Sequence, residues 1–143
     1  ALIDTLAIQY IEVMPHFNHL FDGAIDILNY LKDKYQLHII TNGFEEVQTK
    51  KMKSSNIHHY FDQVITSESV GVKKPNPRIF EYALSVAKAT KENSIMIGDS
   101  LEADIEGAIN FGMQAIYCNF DNNKIKSNTF ITVRSLLEIK EYL

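Results

Sequence analysis

One cysteine is all that these 143 residues contain, so Cys118 cannot form an internal disulfide and the chain falls outside the secreted, cross-linked class of small domains. No apolar run approaches the roughly 18 residues of a membrane span, and no basic segment precedes an apolar core as in a signal peptide. An excess of positive charge is also missing. Fourteen Lys and Arg stand against eighteen Asp and Glu, a net charge of −4, which argues against nucleic-acid backbones or anionic membranes as partners. There is no low-complexity tract, repeat or obvious linker. A soluble cytoplasmic domain is the expectation.

What is present is 45% hydrophobic and 22% charged residues, normal for one globular domain. A chain of this size buries about two-thirds of its unfolded surface and needs no staples. From Gly23 onward, short β-rich apolar runs alternate with longer segments of helical period. The spacing predicts helices near 23–34, 44–55, 77–89, 101–111 and 135–142. Strands are expected near 37–41, 63–67, 94–98 and 114–118, with a weak one near 130–133. Strands joined by helices of roughly twelve residues indicate βαβ units and a parallel α/β sheet with helices on both faces. Local signals agree: Asp22 as a helix cap, Asn76 before Pro77, a stop at Gly112, and Ser135 with Glu138 as a capping box. Leu2, Leu6, Tyr10, Val13 and Met14 recur at helical spacing before Pro15, so residues 1–14 read as the end of a helix and 15–21 as a connector.

Ligands of open parallel sheets bind beyond the carboxyl ends of the strands, and three strands here end in distinctive chemistry. The first runs into Thr41-Asn42-Gly43, where a hydroxyl and backbone N–H groups can cradle an oxyanion or can simply cap a helix. The second feature is the loop Gly71-Val72-Lys73-Lys74-Pro75-Asn76-Pro77. Its lysine can present a point charge to an anion or be solvated surface. The third is Gly98-Asp99-Ser100 with Asp104 five residues beyond Asp99. The two carboxylates suit a hard cation such as Mg²⁺, or are a cap and a surface charge. Together they are the parts of phosphoryl transfer, which depends on positioning and charge neutralisation.

In this order the three motifs resemble those of the haloacid dehalogenase-like (HAD) hydrolase superfamily. Phe61-Asp62-Gln63-Val64-Ile65-Thr66-Ser67-Glu68 and Glu106-Gly107-Ala108 through Phe111-Gly112-Met113 strengthen the likeness. The resemblance implies that Thr41 and the Asn42 amide hold a phosphoryl oxygen, and that Lys74 neutralises the nucleophile and phosphoryl charge. It implies Asp99 as a Mg²⁺ ligand, Asp104 completing the metal site directly or through water, and Ser100 orienting a metal-bound water. It further implies a Mg²⁺-dependent phosphatase of nucleotidase-like type that forms an aspartyl-phosphate, with a small phosphorylated metabolite as substrate. About 32 residues lie between Thr41 and Lys74, too few for an inserted cap. Residues 1–21 are therefore expected to be the tail of an N-terminal helical cap and connector, and 22–143 the core.

The family's nucleophile motif, Asp-x-Asp-x-Thr at the end of a central strand, is not found in the sequence. Asp4-Thr5-Leu6 fits only its tail, with Ala1 and Ile3 where the aspartates belong. The expectation is thus that these residues are the C-terminal portion of a longer protein, a Rossmann-like core lacking its central strand and inactive alone; if the chain stands alone, the gap is to be closed by re-pairing, domain swapping or dimerisation. Two other functions remain open: a phosphate- or partner-binding module without a nucleophile, and a metal-independent dehalogenase. The isolated His16, His19 and His38, the pair His58-His59, and Cys118 show no ligand spacing and read as ordinary surface or core residues.

Overall fold

The computed structural model describes residues 5–8, 23–54, 56–122, 124 and 129–143. Its chain order is β1 (Thr5–Ile8), α1 (Ala24–Lys32), β2 (Gln36–Thr41), α2 (Glu45–Ser54), a 3₁₀ turn (His58–Tyr60), β3 (Gln63–Thr66), α3 (Ser67–Val70) and α4 (Pro77–Ala87). There follow β4 (Ser94–Gly98), a π-helical turn (Leu101–Glu106), α5 (Gly107–Phe111), β5 (Gln114–Cys118), β6 (Ile131–Val133) and a 3₁₀ helix (Leu137–Glu141). The six strands form one parallel sheet in the order β3-β2-β1-β4-β5-β6.

The expected helices and strands appear, most within two residues of their predicted limits. Alternation along the strands sorts their side chains into two apolar layers. Leu37, Ile39, Ile95, Ile97 and Ile116 pack against α1, Met52 and the last helix. Ile40, Ile65, Met96, Ala115 and Tyr117 face α4 and α5. Helices therefore cover both faces. Phe80, fully buried on the α4 side, contributes about 2–3 kcal/mol by leaving water. Asn76 caps α4 by accepting from the Arg78 N–H at 3.0 Å, with Pro77 in the first turn, and Gly112 ends α5 at φ 107°.

Three local expectations are corrected. Over residues 5–8 the helical reading gives way to a strand, and the central position expected to be vacant is filled. Thr5–Ile8 pairs with Gln36–Ile39 on one side and Ser94–Ile97 on the other. An empty slot would leave buried N–H and C=O groups on β2 and β4, each costing about 1–3 kcal/mol. Pairing with Thr5-Leu6-Ala7-Ile8 satisfies them, so re-pairing closes the gap. Second, the end of the chain is 3₁₀ rather than α. Its capping box survives in loosened form: Glu138 N–H donates to Ser135 Oγ at 3.4 Å, and Glu138 Oε1 accepts from Arg134 N–H at 3.3 Å. Third, α1 is preceded by Gly23 at φ 84° with no side-chain cap; Asp22, His16, His19 and the remainder of the 1–21 segment lie outside the described residues.

Candidate active site

In a parallel sheet all strand exits lie at one edge, and the predicted residues assemble there. β1 separates β2 from β4, so the ends at Thr41 and Gly98 flank the β1 exit at roughly 10 Å from one another, two strand spacings. The residues that follow Ile8 in sequence are Gln9, Tyr10 and Ile11, and no aspartate occurs between Asp4 and Asp22. The central strand is thus present, and no aspartate directly follows it in sequence.

Thr41 is buried at the tip of β2 and accepts the Gly43 N–H through Oγ1 at 3.1 Å. A hydroxyl that accepts one bond keeps its proton to donate to an anion. The Asn42 side-chain Oδ1 accepts from the Lys74 N–H at 2.8 Å, and its Nδ2 donates to the Lys74 carbonyl at 3.3 Å. That amide therefore clamps the lysine loop to the β2 turn. Ser67, at the exit of β3, steadies the same turn by donating to the Asn42 carbonyl at 3.0 Å.

Lys74 is almost wholly enclosed, and its Nζ lies 2.5 Å from Asp104 Oδ1. The other Asp104 oxygen accepts from the Ser100 N–H at 3.1 Å, while Ser100 Oγ accepts from the Ala103 N–H at 3.2 Å. Asp104 reaches this position through a π-helical turn in which the Ile105 N–H meets the Ser100 carbonyl, five residues back, at 3.2 Å. Widened turns of this kind recur at functional sites. Gly98 is needed beside it, because a Cβ there would overlap the Asp104 carboxyl.

Asp99 stands at the exit of β4, open to solvent at its tip. Burial of the rest of the group raises its pKa first, and Asp104 second; its own backbone hydrogen bond and Lys74 pull the other way, and Asp121 adds a small upward push. Two carboxylates therefore share one ammonium, and the site carries uncompensated negative charge. A hard cation with oxygen ligands fits that donor set. Among the described residues no cluster of three or more His, Cys, Asp or Glu forms a ready-made cage.

A family model for haloacid dehalogenase-like hydrolases matches residues 1–118. The chain belongs to this family. Its HAD relatives include the pyrimidine 5'-nucleotidase YjjG of Escherichia coli, 34% identical over 94% of this chain and 61% of that protein. Another is the glyceraldehyde 3-phosphate phosphatase of Methanothermobacter thermautotrophicus, 45% identical over 69% of this chain and 44% of the relative. The magnesium-bound crystal structure of the HAD-hydrolase YfnB of Bacillus subtilis superposes with a TM-score of 0.82 at 30% identity, covering 90% of this chain and 56% of that one. The chain thus spans about half the length of the HAD proteins it matches.

Two supporting residues escaped the sequence reading as site residues. Gly107 lets the lysine loop approach α5: a Cβ there would lie 2.9 Å from Pro75 Cβ and 3.1 Å from Pro75 Cα. Its signal was present in the Glu106-Gly107-Ala108 resemblance but pointed to no role. Ser67 likewise lies in the Phe61–Glu68 stretch of the resemblance, which pointed to no role for it. Cys118, buried beside the carboxylates, has its thiol pushed up to about 12 by burial, then by Asp99 and Asp104, and is inert. His58 and His59 sit in the exposed 3₁₀ turn.

Proposed function

We propose that this chain forms the phosphate- and metal-holding part of a Mg²⁺-dependent phosphomonoester hydrolase acting on small phosphorylated metabolites through an aspartyl-phosphate. The supporting observation is the continuous set of contacts linking Thr41, Asn42, Lys74, Asp104 and Ser100 across one sheet edge beside Asp99. The relatives named as a nucleotidase and a phosphatase support the same class.

In this reading the Thr41 hydroxyl and the Asn42 backbone N–H orient one phosphoryl oxygen. Lys74, held at both ends by Asn42 and Asp104, brings an ammonium whose position is fixed before substrate arrives. Asp99 would hold Mg²⁺ directly and Asp104 through water, with Ser100 orienting that water; the bound ion supplies charge neutralisation at the phosphoryl oxygens. The attacking carboxylate has to reach the β1 exit from sequence other than Gln9-Tyr10-Ile11, so the 143 residues alone are expected to give no turnover. The lack of an aspartate there also favours a second reading, a phosphate-binding module that performs no chemistry.

Assay of p-nitrophenyl phosphate and nucleoside 5'-monophosphates with Mg²⁺, using the full-length natural protein, separates these readings. Hydrolysis abolished by Asp99→Ala supports the phosphatase. Mg²⁺-dependent phosphate binding without hydrolysis supports the module. Hydrolysis indifferent to Asp99→Ala contradicts both.

A further inference from the structure

Helix α2 turns only Gln48 and Met52 fully inward among its described side chains, at one-turn spacing. Met52 joins the apolar layer beneath β2. Gln48 is 1% exposed, while its neighbour Val47 is 45% exposed. An amide inside and a valine outside reverse the usual arrangement of such residues on a helix. The position of the Gln48 side chain shows what this arrangement provides. A Cβ on Gly43 would lie 2.9 Å from Gln48 Cδ and 3.0 Å from Cγ, and would overlap Nε2. The glutamine end therefore occupies the space that any larger residue at 43 would take, and it lies directly against the Thr41-Asn42-Gly43 turn.

The geometry points to Gln48 as a positioning residue for the phosphate-binding turn, an inference that rests on the phosphatase reading for its purpose. Gln48 supports Gly43 from below and holds the Gly43 N–H on Thr41 Oγ1. That bond occupies an acceptor site of the hydroxyl and directs its proton outward to the anion. The turn and the first turns of α2 thus act as one unit, with Gly43 present because Gln48 fills its side-chain space.

The test uses the 143-residue chain, amide exchange followed by NMR, and titration with inorganic phosphate in the presence of Mg²⁺. In Gln48→Ala, which empties the space beside Gly43, the Gly43 N–H should exchange about tenfold faster while amides of β4 are unchanged. Phosphate affinity should fall by about five- to tenfold, with the response of Asp99 to Mg²⁺ alone retained. Unaltered Gly43 exchange and phosphate affinity in Gln48→Ala would overturn the inference. Gly43→Ala provides an independent arm: its effect on exchange at Thr41 and Asn42 should be much smaller in a Gln48→Ala background, and additive effects would also overturn it. If the wild-type chain takes up no phosphate, the phosphatase reading fails, whereas Gly43 exchange still decides for or against Gln48.

Discussion

Lys74 and Asp104 carry most of the electrostatic weight of the site, and their burial makes them structural as well. Removing one member strands the other charge in the interior at a cost of about 3–5 kcal/mol. Asp104→Ala is therefore expected to lower the urea midpoint sharply, and Lys74→Met with Asp104→Leu to recover much of the loss; equal midpoints for Asp104→Ala and wild type would contradict the pairing. His38 gives the pH dependence. It is buried on β2, neither ring nitrogen has a hydrogen-bond partner among the described residues, and it lines a void of about 10 Å³ with Phe80, Ser94 and Met113. Burial lowers its pKa from the ordinary 6.5, with Asp62 opposing weakly. The unfolded chain then binds the proton more readily than the folded one, so stability is complete above about pH 6.5 and falls as pH drops below it. Urea unfolding at pH 5 and pH 7.5 should show this loss, and His38→Phe should reduce it; an unchanged slope in the variant would rule His38 out as the cause. Thr41, Lys74, Asp99 and Asp104 were legible as residues because each follows a strand in an unusual local pattern. Gln48 was not, since a polar residue on a charged helix looks exposed until the fold turns it inward.

Elements were legible wherever local period and tertiary environment agree. From α1 to β5 they do, because buried parallel strands are short continuous apolar runs and the helices between them carry one apolar stripe. β1 was misread because four residues cannot display a period, and the flanking Leu2, Tyr10 and Val13 supplied a helical one. The decisive factor for Thr5–Ile8 is the pair of strand edges waiting for it, which local sequence does not contain. The π-helical turn escaped for a related reason: over six residues a widened helix and an α-helix place side chains almost alike, and the anchoring of Asp104 by Lys74 and Ser100 selects between them. Packing between the lysine loop and α5 is testable at this scale. Gly107→Ala gains about 1 kcal/mol of helix propensity, yet its methyl would press on the Pro75 backbone, where overpacking costs about 1–3 kcal/mol. A net drop in melting temperature is expected, and a rise would show that the loop yields freely.

For the molecule as a whole, one parallel sheet brings residues scattered over more than sixty positions to a single edge. The three motifs, and their convergence on one sheet edge, were readable from the alternation of strands and helices; the strand order adds that β1 lies between β2 and β4. No helix among the described residues is long and apolar enough to cross a membrane. On the proposed phosphatase reading, the attacking carboxylate works at the β1 exit, between these motifs. The most direct measurement is an NMR titration of the 143-residue chain with inorganic phosphate, with and without Mg²⁺. Amides of Thr41, Gly43, Gly98 and Asp99 should shift together and saturate at one concentration, and Asp99→Ala should abolish the Mg²⁺ dependence. Shifts at only one strand exit, or a Mg²⁺ dependence that survives Asp99→Ala, would contradict a shared phosphoryl–metal pocket.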